Sequence, residues 1–167
     1  MSTQFLADGA AYDPSTDRWR MLPPAPLSAR SMRDGMAWTG REVVPWGGGT
    51  SNEAFADGAA YDPATNTWRD LPESPLSGRI GTAQIWTGKE MLIWGGTPGT
   101  FNNYLADGAV YVPGSNTWRR IPTSSGRYSS GLWTGREMLV WGGIVPAGGS
   151  ARTVEIKSVA DGRRFVP

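Results

Sequence analysis

Cysteine and histidine are both absent from the 167-residue chain. The first absence removes disulfides, thiol nucleophiles and thiolate metal sites, and leaves the redox compartment undetermined. The second removes the commonest general base and the commonest transition-metal ligand. Most familiar catalytic constellations therefore cannot be assembled from this chain alone, and no cofactor is expected. An excess of one charge is lacking too: 16 basic residues face 15 acidic ones, a net charge of +1, which gives no footprint for nucleic acid. No apolar run is long enough to read as a membrane-spanning helix. The opening MSTQFLADGA has no basic region followed by an apolar core, so no signal peptide is expected in this stretch. The compartment stays unknown.

What the chain has in plenty is repetition. ADG begins at 7, 56 and 106, and Tyr12, Tyr61 and Tyr111 follow, each seven residues before Trp19, Trp68 and Trp118. WTG recurs at 38, 86 and 133, and WGG at 46, 94 and 141, a period of 47–50 residues. Fixed periods of this size are the mark of repeat architectures.

Each period reads as four short strands. A run ending in Trp, such as TAQIW, meets a Thr-Gly pair whose glycine supplies the positive φ of a tight hairpin. The second strand, such as EMLIW, ends at Gly-Gly, and a loop of variable length leads to a third around AAYDP or AVYVP. A polar turn (STD, ATN or GSN) delivers the fourth, as in RWRML or TWRRI. Asp-Pro in two copies suits a turn start. No stretch shows helical periodicity, so the expected class is all-β.

Gly-Gly closing a strand, then Tyr, then Trp seven residues on, resembles the kelch repeat. That resemblance covers nearly the whole chain. It implies a β-propeller with one four-stranded antiparallel blade per repeat, of the bacterial galactose-oxidase-like kind, a label that describes the propeller and not its chemistry. The whole chain, 1–167, then forms a single kelch-repeat array: an outer-strand half-blade at 5–22, blades at 35–71 and 82–121, and a last blade at 130–166 with degenerate outer strands. The degeneracy shows when residues 105–122 are aligned without a gap on 150–167. Asp, Gly, Tyr and Trp of the repeat become Arg152, Thr153, Ile156 and Arg163.

About three and a half blades do not close a ring, which takes roughly four to eight. Two completions are open. The chain is the C-terminal half of a longer propeller, or two copies associate so that 5–22 of one completes 130–143 of the other and displaces the degenerate tail. The gapless tail alignment favours the first.

Regular spacing assigns all nine Trp and the three Tyr to packing. Glu42, Glu90 and Glu137 follow each Thr-Gly turn, one per blade and too far apart for paired acid–base work; salt bridges are their expected role. Asp8, Asp57 and Asp107 sit beside glycine and are expected to bond local backbone. No metal ligand set recurs at fixed spacing. Arg30, Arg79 and Arg127, in LSAR, LSGR and SSGR, each precede the first strand of a blade. In several kelch adaptors an Arg at this place, as in GRIGTAQ (78–84), contacts an acidic peptide. By that resemblance the three form part of a cationic ring near the channel mouth, where guanidinium groups receive carboxylates. The competing reading is an internal tie, for instance to the repeated Asp. The second–third loops differ between copies and bring Asn52, Phe101, Asn102 and Asn103 to the same face, with Tyr128 beside Arg127; binding residues usually ride on such loops.

The reading from sequence is a binding or interaction module, without chemistry of its own, that presents a loop face to a protein or an anionic peptide or carbohydrate. Self-association to close the propeller is a further expectation; membrane and nucleic acid are not expected partners. A kelch-type sugar-acid mutarotase is the enzymatic alternative, and a structural half-propeller or oligomerising scaffold is the third. A copper-radical oxidase site needs His and Cys, which this chain lacks.

Overall fold

Thr-Gly pairs predict hairpins, and three form. In the computed structural model, which describes residues 4–32, 36–99, 103–122 and 130–144 and the backbone of 155–156, Gly88 has φ +96° with nothing near its missing side chain. The Thr87 hydroxyl accepts the Glu90 amide at 3.1 Å, and Thr39 and Thr134 do the same for Glu42 and Glu137. A threonine so placed closes the turn through its side chain as well as its backbone.

Thirteen strands result, and no helix is found among the described residues. A two-stranded sheet pairs β1 (Ala10–Asp13) with β2 (Arg18–Met21). Two four-stranded sheets follow, each in chain order: β3 (Ala37–Trp38), β4 (Val43–Val44), β5 (Ala59–Asp62) and β6 (Thr67–Asp70), then β7 (Ala83–Trp86), β8 (Met91–Trp94), β9 (Gly108–Val112) and β10 (Thr117–Ile121). The last sheet joins β11 (Gly131–Trp133), β12 (Met138–Val140) and β13 (Glu155–Ile156). All pairings are antiparallel. Register repeats as well: Val43 lies opposite Tyr61, and Met91 opposite Tyr111. β13 copies this, with Met138 opposite Ile156 and Leu139 opposite Glu155. The gapless tail alignment gives the same positions.

The polar turn between third and fourth strands has a fixed geometry. Its third residue, Asp17, Asn66 or Asn116, takes φ near +55°, a conformation that Asp and Asn tolerate better than other side chains. The Tyr12, Tyr61 and Tyr111 hydroxyls each donate to that residue's Oδ1 at 2.7 Å. Each Tyr ring also packs on the Trp across the hairpin at 5.0–5.2 Å between centroids. One tyrosine therefore anchors both the turn and the strand pair.

Two apolar layers join the sheets. Ala37, Val44, Trp46 and Ala60 of the first four-stranded sheet meet Met91, Ile93, Ala109 and Tyr111 of the second. That sheet's other face, including Ile85, Leu92, Trp94 and Val110, meets Met138 and Val140. Polar ties cross the same joints. The Trp68 indole N–H donates to the Pro23 carbonyl and that of Trp118 to Pro72, both at 3.0 Å. Arg20 reaches Asn66 at 3.0 Å, as Arg69 reaches Asn116 at 3.2 Å. The short first sheet is thus docked on the second just as the second is docked on the third. The Gly-Gly pairs let the backbones approach: a Cβ on Gly96, at φ +89°, would stand 2.7 Å from the Ile80 carbonyl oxygen.

The β1–β2 pair lies within the stretch 5–22, β3 to β6 within 35–71 and β7 to β10 within 82–121. Of the expected last unit at 130–166, its third strand is represented by β13 and its fourth falls outside the described residues.

Candidate functional site

Arg30 and Arg79 occupy matching places and make matching bonds. Each Nε donates to the carbonyl two residues earlier, Ser28 at 2.8 Å and Ser77 at 2.9 Å. Each Nη1 reaches the first Gly-Gly carbonyl, Gly47 or Gly95, at 3.2 Å. The fork then grips a carboxylate with both arms: Arg30 on Asp57, with Nη2 at 3.0 Å from Oδ2, and Arg79 on Asp107 at 2.8 and 3.3 Å. Arg30 also lies over the Phe55 ring at 4.2 Å. Arg79 is 0% exposed.

Bidentate pairing of this kind is directional and strong. The Arg30 hydrogen bond holds the Asp57 carboxyl below its ordinary pKa, against the opposing effect of burial. For Asp107, burial pushes upward, but hydrogen bonding and charge from Arg79 outweigh it and leave the group lowered. These two arginines bind the incoming connection to the loop before the third strand of their own sheet. Every guanidinium nitrogen of both has a partner within the chain. Their geometry is that of a tie to the repeated Asp, and they do not face solvent as anion receptors.

Of the other loop-face residues, Asn52 and Asn103 are exposed and stand on the second–third loops of successive sheets. Arg127, Tyr128, Phe101 and Asn102 lie outside the described residues. Two of the three repeated glutamates form ion pairs within their sheets: Glu42 takes both arms of Arg69 at 2.8 and 2.6 Å, and Glu90 takes Arg119 at 2.7 Å.

On the opposite face, where the Thr-Gly and polar turns emerge, lies a groove that sequence reasoning missed. It has a volume of about 780 Å³ and runs between the two four-stranded sheets. Trp68 and Trp86 line it, with Arg41 and Lys89 on the Thr-Gly turns and Asn116 opposite. Arg41 is mostly in solvent and bonds Asp62 at 3.1 Å. Arg69, also in the wall, is held by Glu42 at 2.6 Å. Lys89 is exposed and makes no ion pair among the described residues. The signal was in the sequence: the cation of WTGRE, WTGKE and WTGRE recurs at Arg41, Lys89 and Arg136 as regularly as the glutamate beside it.

Among the described residues no cluster of three or more acidic side chains is placed to hold a metal ion. No helix there is long and apolar enough to cross a membrane. The chain matches no protein-family model and no curated protein sequence, so the kelch resemblance rests on the three internal copies.

Proposed function

We propose that the chain is a segment of a kelch-type β-propeller acting as a binding module, with an anionic peptide or sugar acid as its ligand class and no chemistry of its own. The kelch reading is supported by the triplicated sequence and by consecutive antiparallel sheets that pack face to face through repeated ties. The binding reading is carried by one observation. In the groove between the two four-stranded sheets, Lys89 lacks a carboxylate partner among the described residues, while Arg41 and Arg69 have theirs. An unpaired ammonium beside two indole rings and a largely solvated guanidinium offers charge, stacking surface and hydrogen-bond donors at one place. The loop face remains a second binding surface, now resting on Asn52 and Asn103 together with Arg127, Tyr128, Phe101 and Asn102.

The test is titration of the purified chain with a hexaglutamate peptide and with glucuronate, followed by NMR shift perturbation. A variant carrying Arg41→Ala and Lys89→Ala should bind about tenfold more weakly, about 1.4 kcal/mol, with the spectrum of the fold retained. Loss on Arg127→Ala alone would move the site to the loop face. Failure of both probes to bind the unmodified chain would refute the anionic-ligand reading. Faster exchange between glucuronate anomers would replace the binding module with the sugar-acid isomerase.

A further inference from the structure

Large apolar side chains left in solvent are confined to the two ends of the array. All ten that are exposed among the described residues lie before residue 39 or after residue 131. For several of them the repeat says what ought to cover them. Trp141 is 84% exposed, whereas Trp46 and Trp94, at the same repeat position, are 1% exposed. Tyr12 is 45% exposed against 3% and 0% for Tyr61 and Tyr111. Leu139 and Trp141 stand on the face that Leu92 and Trp94 turn toward the following sheet. Trp38 stands on the face that Trp86 turns toward the preceding one.

The two ends lack opposite things. At the first end, β1 is paired with β2 alone, so a third-and-fourth-strand pair lacks its first and second strands. A mostly apolar cleft of about 240 Å³ opens beside it, lined among others by Leu6, Gly9, Ala10, Met36 and Pro45. At the other end, β11 and β12 are a first-and-second-strand pair, and among the described residues the two of β13 hold the edge of β12. One end supplies what the other lacks.

We propose that the partner is a second copy of this chain. The β1–β2 hairpin of one copy adds to β12 of the other in place of β13, and the reciprocal addition closes a two-fold pair. The register of the complete sheets puts Met138 opposite Tyr12 of the other copy, Leu139 opposite Ala11, Val140 opposite Ala10 and Trp141 opposite Gly9. Four opposed pairs replace the two that β13 provides.

Charge favours the exchange. Arg30 pairs with Asp57 and Arg79 with Asp107, which leaves Arg127 and Asp8 as the remaining members of the repeated set. At the aligned position the tail carries Arg152 in place of Asp57 and Asp107. The first hairpin of a second copy offers Asp8, which is exposed. On the propeller reading, each copy then owns two complete blades and one shared blade, so the pair holds six, within the four to eight that close a ring.

Light scattering of the full chain over a range of concentrations should give a mass near twice 18.0 kDa. Trp141→Glu, a change at a side chain already in solvent within one copy, should weaken the pair at least tenfold. Because the chain has no cysteine, the register can be read directly. Two differently tagged chains, one with Ala11→Cys and one with Leu139→Cys, should form a mixed disulfide when co-expressed and oxidised. Thr16→Cys with Leu139→Cys should not. A monomer at every concentration would assign both end faces to other segments of chain and overturn the proposal. A mass that grows with concentration would overturn closure. Equal cross-linking from Thr16→Cys would overturn the register.

Discussion

Removing the Asp107 carboxylate is the sharpest test of how the arginines are used. The Arg79 side chain is fully buried, and Asp107 supplies two of its side-chain hydrogen bonds at 2.8 and 3.3 Å. In Asp107→Ala the guanidinium keeps the carbonyls of Ser77 and Gly95 but loses its ion pair. Breaking a buried pair from one side costs about 3–5 kcal/mol, because the remaining charge is left uncompensated. Asp107 is itself partly solvated, so water entering the vacated space should hold the loss near the lower figure, about 3 kcal/mol. Urea denaturation followed by tryptophan fluorescence reads it. With a slope of roughly 2 kcal/mol per molar urea, the midpoint should fall by about 1.5 M. Asp57→Ala should cost less, since that carboxylate is 51% exposed and shares its charge with water. A loss below about 1 kcal/mol for Asp107→Ala, accompanied by tighter binding of anions, would refute the tie and restore Arg79 as a ligand-receiving group.

Stability should also fall in acid. The folded pKa values of Asp57 and Asp107 are both lowered, so their contribution is complete above the unfolded value of about 3.9 and is lost as pH falls through the folded values. A variant with Asp57→Asn and Asp107→Asn should show a flatter denaturation midpoint between about pH 5 and pH 2; an unchanged slope would place the acid sensitivity elsewhere. Gly96→Ala and Gly88→Ala make a matched pair, since both glycines have φ near +90°, yet only the first would drive its Cβ against a carbonyl, Ile80 at 2.7 Å. Gly88→Ala should cost about 1–2 kcal/mol and Gly96→Ala about 1–3 kcal/mol more. Equal midpoints in urea would show that the Gly-Gly step serves no close approach.

Much of the fold was legible because the repeat encodes local geometry. Thr-Gly marks a hairpin by glycine's freedom and threonine's hydroxyl, and Tyr seven residues before Trp places both across one strand pair. The turn residues Asp17, Asn66 and Asn116 were visible as polar, but their left-handed backbone and their bond to Tyr depend on three-dimensional closure. The site was less legible. Arg30 and Asp57 are 27 residues apart, and Arg79 and Asp107 are 28. That near-constant interval was available in the sequence, but a spacing does not say whether a cation faces a carboxylate or water. The cations at 41 and 89 recur as regularly as the glutamates beside them, but a recurrence does not show which surface they share. They meet only in a groove between two sheets, and no single repeat contains it.

The same letters carry different physics at different places in the array. Tyr61 and Trp68 are framework because a sheet lies on either side of them, and Tyr12 and Trp19 have the same partners within their hairpin but are open to solvent. Nothing in the hairpin itself differs enough to explain this, since the two ring pairs have nearly the same separation and tilt. Burial in a repeat array is set by neighbours, each unit covering a face of the next. It follows that a residue repeated along the array for packing is left exposed at its ends without any change of identity. Trp46 and Trp94 are covered, whereas Trp141 at the same repeat position is 84% exposed. What separates them is whether a following sheet supplies the groups that Leu92 and Trp94 meet in Met138 and Val140.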